Sequence, residues 1–396
     1  MPSALGPISD RNPDNGRCQV KKDRRAFIVC RNKMRGNVHS RWQKSLKFAL
    51  IGCGKAGHSY ATIINNHPKT ELAAVVDINP EAARAFGTSF GCKSYTSLDE
   101  YLAANTPTDC AVICTYPSDH AEIACQLMQK QVNILCEQPL AIDHVSAEKM
   151  IDVSRTYGVH LMMGSKFRYV PDIIHARGLI QAGILGHVLE FKGDFRDTAD
   201  MRNRWNSQPK LSGGGVLIDK GSAAVDIVRH LFGPIQWIRA EEAQRIQSED
   251  VEDTVRLELR TNSGVMGTLH LSWTLKSTSD DYFQIYGTQG NLCIGWKKSM
   301  YRPNGAVDWI SFGDGYNTMK ALTLQLSNFA NFVTEDELPE IDDDDELESV
   351  RTIEIAYQSL HTGQYLNIHP VPLTIPSAFS ERKFSILGSS KASSTA

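Results

Sequence analysis

The sequence has no uninterrupted apolar run of about 18 residues, the length a helix needs to cross a bilayer. It also has no Cys-x-x-Cys pair. Its nine cysteines are odd in number and scattered, which argues against a disulfide framework and against a paired-thiolate zinc site, and fits reduced, buried thiols in a cytoplasmic protein. No histidine spacing matches a metal site, so no metal is expected. Glycine and proline are too sparse, at 29 and 16 of 396 residues, for a collagen-like or low-complexity chain. Strong charge of one sign is missing from the whole but not from its parts. The net charge of -3 divides into +8 over residues 1–45 and -11 over the rest. An acidic body of that kind excludes nucleic acid as the main partner.

What is present is a chain long enough for two or three domains. Residues 1–45 are basic and without apolar periodicity, and read as a disordered arm or an over-extended start with Met34 as an alternative initiator. Arg24-Arg25 resembles an export signal only superficially, because Arg31, Lys33 and Arg35 break the apolar stretch such a signal requires. From Leu46 to Ser165 short, fully apolar runs (47–51, 72–76, 110–115, 132–136, 160–163) alternate with amphipathic segments. That grammar predicts a doubly wound parallel sheet covered on both faces.

After Ser165 the pattern changes. A helix over 171–182 precedes strands with period-two alternation, such as Val255, Leu257 and Leu259 and then Leu269, Leu271, Trp273 and Leu275, broken by turn residues at 262–264 and 287–291. These predict an α+β domain over 166–375 with an open, mostly antiparallel sheet. Two further helices are expected near 321–333 and 347–360, and the acidic run 335–348 is read as a solvated loop entering the second of them. A Ser-rich tail closes the chain from 376.

Gly52-Cys53-Gly54-Lys55-Ala56-Gly57 follows the first apolar run and opens a helical segment. In that context the first glycine permits a tight turn and the second admits a pyrophosphate to the backbone, while the third lets helix and strand pack closely. The helix start supplies partial positive charge. Asp77, 20 residues beyond Gly57, ends the second strand, where a carboxylate binds ribose hydroxyls and repels a 2′-phosphate. These features predict a Rossmann-type NAD site.

Five ordered segments carry a wider resemblance: Phe48–Gly57, Thr115–His120, Leu135-Cys136-Glu137-Gln138-Pro139-Leu140, Phe167-Arg168-Tyr169-Val170-Pro171 and Gly213–Gly221. From about Leu46 to Leu366 the chain resembles the glucose–fructose oxidoreductase, inositol dehydrogenase and MocA family (Gfo/Idh/MocA). The resemblance implies NAD-dependent chemistry on a sugar, cyclitol or related hydroxylated metabolite, and a homodimer or homotetramer. It adds Thr115, Pro117, Glu137 and Gln138 to the cofactor site formed by Gly52, Gly54, Lys55, Ala56, Gly57 and Asp77. It puts Arg168, Tyr169, Asp219 and Ala223 near substrate.

Two departures stand out. Where the family has Glu-Lys-Pro, with the lysine beside nicotinamide and substrate, this chain has Gln138. Where the family has Asp-x-x-x-His it reads Asp219-Lys220-Gly221-Ser222-Ala223. Neither glutamine nor alanine transfers a proton near neutral pH.

If Asp219 opens a helix, positions 219, 223 and 226 share a face, which would line the pocket with Asp219 and Asp226. Lys220 lies about 100° away; it either reaches the pocket on its flexible stem or, the favoured reading, snorkels at the surface. Asp219 follows three glycines that would admit a ligand, so Asp219, Lys220 and Gln138 form the expected catalytic set. Arg168 and Tyr169 either touch substrate or tie the domains together. His120 is expected to be structural and Trp205 to fill a core. Two functions remain open: an oxidoreductase, with atypical or redox-neutral chemistry as a variant, and a sensor or accessory subunit that binds dinucleotide and sugar without turnover.

The arm carries much charge and little to bury, which cannot offset the entropy of ordering it. A chain starting at Ser45 should therefore keep its melting temperature within error; a drop of several degrees would show that the arm is packed.

Overall fold

A computed structural model describes residues 45–247, 250–334 and 337–369. The expected arm, apart from Ser45, and the expected tail lie outside the described residues.

The first half alternates strand and helix: β1 (Leu46–Ile51), α1 (Lys55–Asn66), β2 (Thr70–Val76), α2 (Pro80–Phe90), β3 (Lys93–Tyr95), α3 (Leu98–Ala103), β4 (Cys110–Ile113), α4 (His120–Gln129), β5 (Asn133–Glu137), α5 (His144–Tyr157) and β6 (Leu161–Gly164). The six strands pair in parallel in the order β3-β2-β1-β4-β5-β6, a doubly wound Rossmann sheet as expected. Local signals set the helix ends. The Asn79 side chain accepts from the N–H groups of Glu81 and Ala82, Pro80 opens α2, and Gly91 closes it in the left-handed region. Asp143 and Gly158 do the same for α5. The edge strand β3 and the short α3 carry too few residues to show a period, and the sequence pattern did not reveal them.

A single-turn helix at Lys166–Tyr169 leads into α6 (Pro171–Gln181), β7 (Val188–Arg196), α7 (Pro209–Ser212), α8 (Val216–Asp219), α9 (Gly221–Phe232) and β8 (Ile235–Glu242). There follow β9 (Thr254–Thr261), β10 (Met266–Ser272), β11 (Asp281–Gly287), β12 (Gly290–Gly295), β13 (Ser299–Pro303), β14 (Ile310–Gly313), α10 (Thr318–Val333), α11 (Asp343–Thr362) and β15 (Leu366–Asn367). The nine strands form one sheet, antiparallel except where β10 runs parallel to β7. Both expected hairpins occur, β9–β10 and β11–β12. Strand β10 stops at Ser272, short of the alternation that pointed to Leu275.

One face of this sheet is dry. Val255, Leu257, Leu259, Leu269 and Leu271 are buried against α8 and α9, while Arg256, Arg260 and Met266 on the other face are exposed. Helix α10 returns to the first sheet: Leu322, Leu326 and Phe329 belong to the same core as Phe48, Leu50 and Ile64. The split at Ser165 in the sequence pattern therefore does not divide the cores. All seven described cysteines are free; Cys53, Cys110, Cys125 and Cys136 are buried, and Cys92, Cys114 and Cys293 are half-buried.

The acidic run is a correction to the expected solvated loop. Asp342 caps α11, accepting from the Asp345 N–H, but the first turn is drawn inward. Glu346 accepts from the Met163 N–H at 2.7 Å, and Asp345 accepts from Arg168 at 3.0 Å and Arg229 at 2.8 Å. Arg168 is only 2% exposed and also clasps Asp226, 1% exposed, through Nε at 3.0 Å and Nη2 at 2.7 Å. A charge so removed from water persists only when paired. Burial alone would raise the Asp345 carboxyl, but the two guanidinium groups outweigh it and hold the group below its ordinary value.

Removing Arg168 would strand Asp226 inside the protein. Arg168→Met should cost about 3–5 kcal/mol in denaturant unfolding at neutral pH. The Asp345 pairing is present above the ordinary carboxylate value and is lost as pH falls through its lowered one, so the acid limb of the stability curve should flatten in the variant.

Candidate active site

The glycine-rich turn follows β1 as its spacing requires. Gly52 has φ +99°, and a Cβ there would lie 2.6 Å from the Cys114 carbonyl oxygen. A Cβ on Gly57 would collide with the Gly52 carbonyl, so the third glycine sets the closeness of α1 to β1. Gly54 differs: nothing lies within 4 Å of its Cβ position, and Gly54, Lys55 and Ala56 are exposed. The start of the twelve-residue α1 has no acidic residue in its first turn and no side-chain cap. Its N–H groups face open space, the arrangement that receives a pyrophosphate.

Asp77 stands beside this turn, accepting from the Cys53 N–H at 2.6 Å and the Asn79 N–H at 2.8 Å. Across the sheet, the Thr115 hydroxyl is buried and lacks a hydrogen-bond partner. That unsatisfied hydroxyl and the open space over Gly54 fit a dinucleotide lying across the carboxyl ends of β1 and β4. His120 is structural, as expected. Its ring nitrogens face the Pro139 carbonyl at 2.9 Å and the Thr115 carbonyl at 3.3 Å, and burial lowers its pKa.

The second wall of the cleft comes from α8. Glu252, buried below it, accepts from the N–H groups of Gly215 and Leu217 at 3.0 Å each, which fixes the entry to α8. Asp219 ends α8. Its carboxylate accepts from Trp273 Nε1 at 2.9 Å and Asn206 Nδ2 at 3.3 Å. The side chain stays open to solvent though protein surrounds it on most sides, as on the wall of a cleft. That crowding raises its pKa against the opposing pull of Trp273, Lys220, Lys166 and Asn206.

Several expected residues stand elsewhere. Asp219 ends α8 instead of opening the next helix, and Asp226, inside α9, pairs with Arg168 instead of lining the pocket. Arg168 is committed to that network, and the Tyr169 hydroxyl donates to Asn328 at 2.8 Å. Both are buried and tie elements together. The three glycines before Asp219 serve packing: Cβ atoms at 214 and 215 would run into Tyr357 and Glu252. Lys220 donates to the Ser272 carbonyl at 2.8 Å and is half-buried, so it is neither a surface cation nor a free base. Gln138 donates through Nε2 to the Ser222 carbonyl at 3.2 Å, joining the end of β5 to the first turn of α9. The Ala223 methyl packs on the second core. Trp205 is 36% exposed and meets Tyr116 at 5.5 Å between ring centroids, so it belongs to the cleft mouth and not to a core.

One residue in the cleft was missed by sequence reasoning. Lys166, in the turn after β6, is half-buried, and its ammonium lies within electrostatic reach of Glu137, Tyr316, Asp219 and Cys114. The available signal was a cation two residues ahead of Arg168, at the point where the chain leaves the first sheet.

Sequence profiles of known families align with both halves. That of the oxidoreductase family with an NAD-binding Rossmann fold matches residues 46–165, and that of the Gfo/Idh/MocA C-terminal domain matches 173–293. The chain belongs to the Gfo/Idh/MocA oxidoreductase family. Among Gfo/Idh/MocA relatives, it is 28% identical to glucose-6-phosphate 3-dehydrogenase of Bacillus subtilis over 62% of this chain and 65% of that enzyme, just under two thirds of the latter's length. It is 26% identical to inositol 2-dehydrogenase of Rhizobium meliloti, over 69% of this chain and 80% of that one. The crystal structure of GenD2 from gentamicin A biosynthesis in complex with NAD superposes with TM-score 0.73 at 26% identity, covering 83% of this chain and 97% of GenD2. Levoglucosan dehydrogenase with NADH and levoglucosan shares the fold, with TM-score 0.75 at 18% identity over 82% of this chain and all of that one. This Gfo/Idh/MocA protein is accordingly an NAD-binding oxidoreductase.

With Asp77 beside the glycine-rich turn, the expectation that it binds the adenosine ribose predicts that NAD binds at least tenfold more tightly than NADP, a difference of about 1.4 kcal/mol. Asp77→Asn should narrow that gap. Calorimetric titration with both cofactors checks it, and equal affinities in the unmodified protein would refute the role of Asp77.

Proposed function

We propose that this protein interconverts a secondary alcohol and a carbonyl on a sugar- or cyclitol-class substrate, with Asp219 holding the substrate through its hydroxyls. The observation that carries the reading is the Asp219 carboxylate, fixed by Trp273 and Asn206, open to the cleft and within electrostatic reach of Lys166 at the carboxyl end of the first sheet. A carboxylate with two held donors and free lone pairs accepts from vicinal hydroxyls. Trp205, half-exposed at the mouth, offers a flat apolar surface of the kind that packs on the C–H face of a sugar ring. The names of the relatives, which include a glucose-6-phosphate, an inositol and a levoglucosan dehydrogenase, support the substrate class.

The cofactor site would be formed by Gly52, Gly54, Lys55, Ala56, Gly57, Asp77, Thr115, Pro117, Glu137 and Gln138. Bound NAD supplies the hydride acceptor or donor. The protein's part is to align the reacting C–H bond, shield it from water and manage the hydroxyl proton. Burial keeps the Asp219 carboxyl above its ordinary value, but the donors around it favour the charged form. That suits an orienting acceptor. Assembly as a homodimer or homotetramer would use the open face of the nine-stranded sheet, where Arg256, Arg260 and Met266 are exposed. No described helix is long and apolar enough to cross a membrane.

A second reading is a sensor or accessory subunit that binds dinucleotide and sugar without turnover. It is favoured by one observation: both positions where the family keeps a proton-transferring side chain are inert, Gln138 being tied to Ser222 and Ala223 packed on the core. A redox-neutral cycle, in which hydride is removed and returned, is a variant of the first reading.

The test is turnover of glucose 6-phosphate, myo-inositol and levoglucosan with NAD, read by NADH absorbance, with calorimetric binding of each alongside. Turnover of at least one is expected, and Asp219→Asn should lower kcat/KM at least tenfold. Binding of a sugar without turnover of any would favour the sensor; turnover unaffected by Asp219→Asn would remove Asp219 from the site.

A further inference from the structure

We propose that Lys166 is the proton-handling catalytic residue of this protein, standing in the cleft in place of the side chains that Gln138 and Ala223 cannot supply. The proposal rests on the dehydrogenase reading above and assigns its missing chemistry.

Four elements bring groups to this lysine. Glu137 ends β5 and pairs in register with Gly164, two residues before Lys166. The Glu137 Oε2 atom lies 3.3 Å from the Cβ position of that glycine, so the carboxylate sits beside the strand end from which the turn departs. Cys114 follows β4, Asp219 ends α8, and Tyr316 follows β14; all act on the Lys166 ammonium. The turn itself is rigid. Its backbone N–H donates to the Gln325 amide oxygen at 3.2 Å, beside the same acceptor's bond from Ser165 at 3.0 Å. Phe167 stacks on Tyr316 at 5.0 Å, Arg168 is held in the buried ion network, and Tyr169 is bonded to Asn328.

Despite this company, Lys166 Nζ makes no ion pair or hydrogen bond with any described residue. Lys220, the other lysine near Asp219, is committed to the Ser272 carbonyl. A half-buried ammonium within electrostatic reach of Glu137 and Asp219 but bonded to neither keeps its donors for a substrate oxygen. Its neighbours Cys114 and Glu137 stand at the carboxyl ends of β4 and β5, where a doubly wound sheet receives its ligands.

Attraction to Glu137, more than offsetting burial and reinforced by Tyr316, Asp219 and Cys114, raises the Lys166 pKa above its ordinary value. Lys166 is therefore charged at neutral pH and acts first as an acid, in the direction of carbonyl reduction. Bound reduced cofactor would supply the hydride to the carbonyl carbon, and the displaced π pair would go to the oxygen. The oxygen takes a proton from Nζ, and an alcohol and a neutral amine result. Water in the cleft recharges the amine. In the reverse direction the neutral amine takes the hydroxyl proton, so oxidation rises with pH and reduction falls as pH passes through the raised value.

The experiment compares the unmodified protein with Lys166→Met and Lys166→Arg. The first readout is on the free protein. Its lysines are reductively methylated with ¹³C-formaldehyde, and the Lys166 resonance is assigned by its loss in Lys166→Arg. It should titrate above the exposed lysines and shift downward in Glu137→Gln. A resonance that titrates with the exposed lysines and ignores Glu137→Gln overturns the proposal whether or not any sugar turns over.

The second readout is turnover of glucose 6-phosphate, myo-inositol and levoglucosan with NAD, followed from neutral to alkaline pH, where the neutral amine gains population. A positioned proton-transfer group contributes about 10²–10⁴-fold, so Lys166→Met should lower kcat by at least a hundredfold. KM and the NAD dissociation constant should stay within about threefold. Lys166→Arg keeps the charge but cannot release a proton, so it should be equally impaired. A kcat in either variant within tenfold of the unmodified protein overturns the proposal while leaving the dehydrogenase reading intact. Turnover of none of the three by the unmodified protein overturns that reading and this assignment with it.

Discussion

The buried Arg168 guanidinium is the interaction around which the two sheets are joined. It binds Asp226 from α9, Asp345 from the first turn of α11, and the Glu340 carbonyl ahead of that helix. Two separate segments, α9 and the entry to α11, are thus held to the turn that leaves the first sheet, and the buried charges would be left unsatisfied without one another. Such a network adds little net stability over a well-packed apolar alternative, but breaking it is costly, because an uncompensated charge remains behind. Its effect is to fix geometry. Lys166 stands two residues upstream in the same turn, so the network also holds the backbone from which that lysine projects.

The cleft can then be understood as a redistribution of charge within a familiar frame. At the two positions where the resemblance puts the family's proton-moving side chains, this chain has groups that hold elements together. Gln138 ties the end of β5 to α9, and Ala223 packs on the second core. Glu137 and Asp219 remain, and two carboxylates facing one cleft need a nearby cation. Lys220 offers a partial answer, but its ammonium is drawn to the Ser272 carbonyl. Lys166 reaches the same space from a different strand end. A function can migrate among positions in this way because the cleft requires a charge and a proton at a place, and not at a particular point along the chain.

Much of the first sheet was legible because its signals are local. Apolar runs, a glycine-rich turn, Asn79 and Asp143 as caps and Gly91 and Gly158 as stops each act within a few residues. The cofactor turn was legible for the same reason, since a positive φ at Gly52 and a close approach at Gly57 admit little else. The short β3 and the parallel pairing of β10 with β7 were not, as neither follows from a period. The acidic run before α11 misled because its composition suits solvent, whereas Asp345 and Glu346 are claimed by Arg168, Arg229 and the Met163 N–H from distant parts of the chain.

The site divides along the same line. The sequence by itself determined the fold class and the glycine-rich turn, and it supplied Asp77, Asp219, Gln138 and Ala223 as the residues on which the expected site is built. All of these are properties of adjacent residues or of short spacings. Only the tertiary structure decided that Arg168, Tyr169 and Asp226 are internal ties, that the glycines before Asp219 make room for Tyr357 and Glu252, and that Lys166 comes within electrostatic reach of Glu137 and Asp219. Whether a charged side chain is paired, buried or left facing a cavity depends on which other charges the folded chain brings within a few ångströms, and those partners can be distant in the chain, as Arg168 and Asp345 are at 177 residues apart.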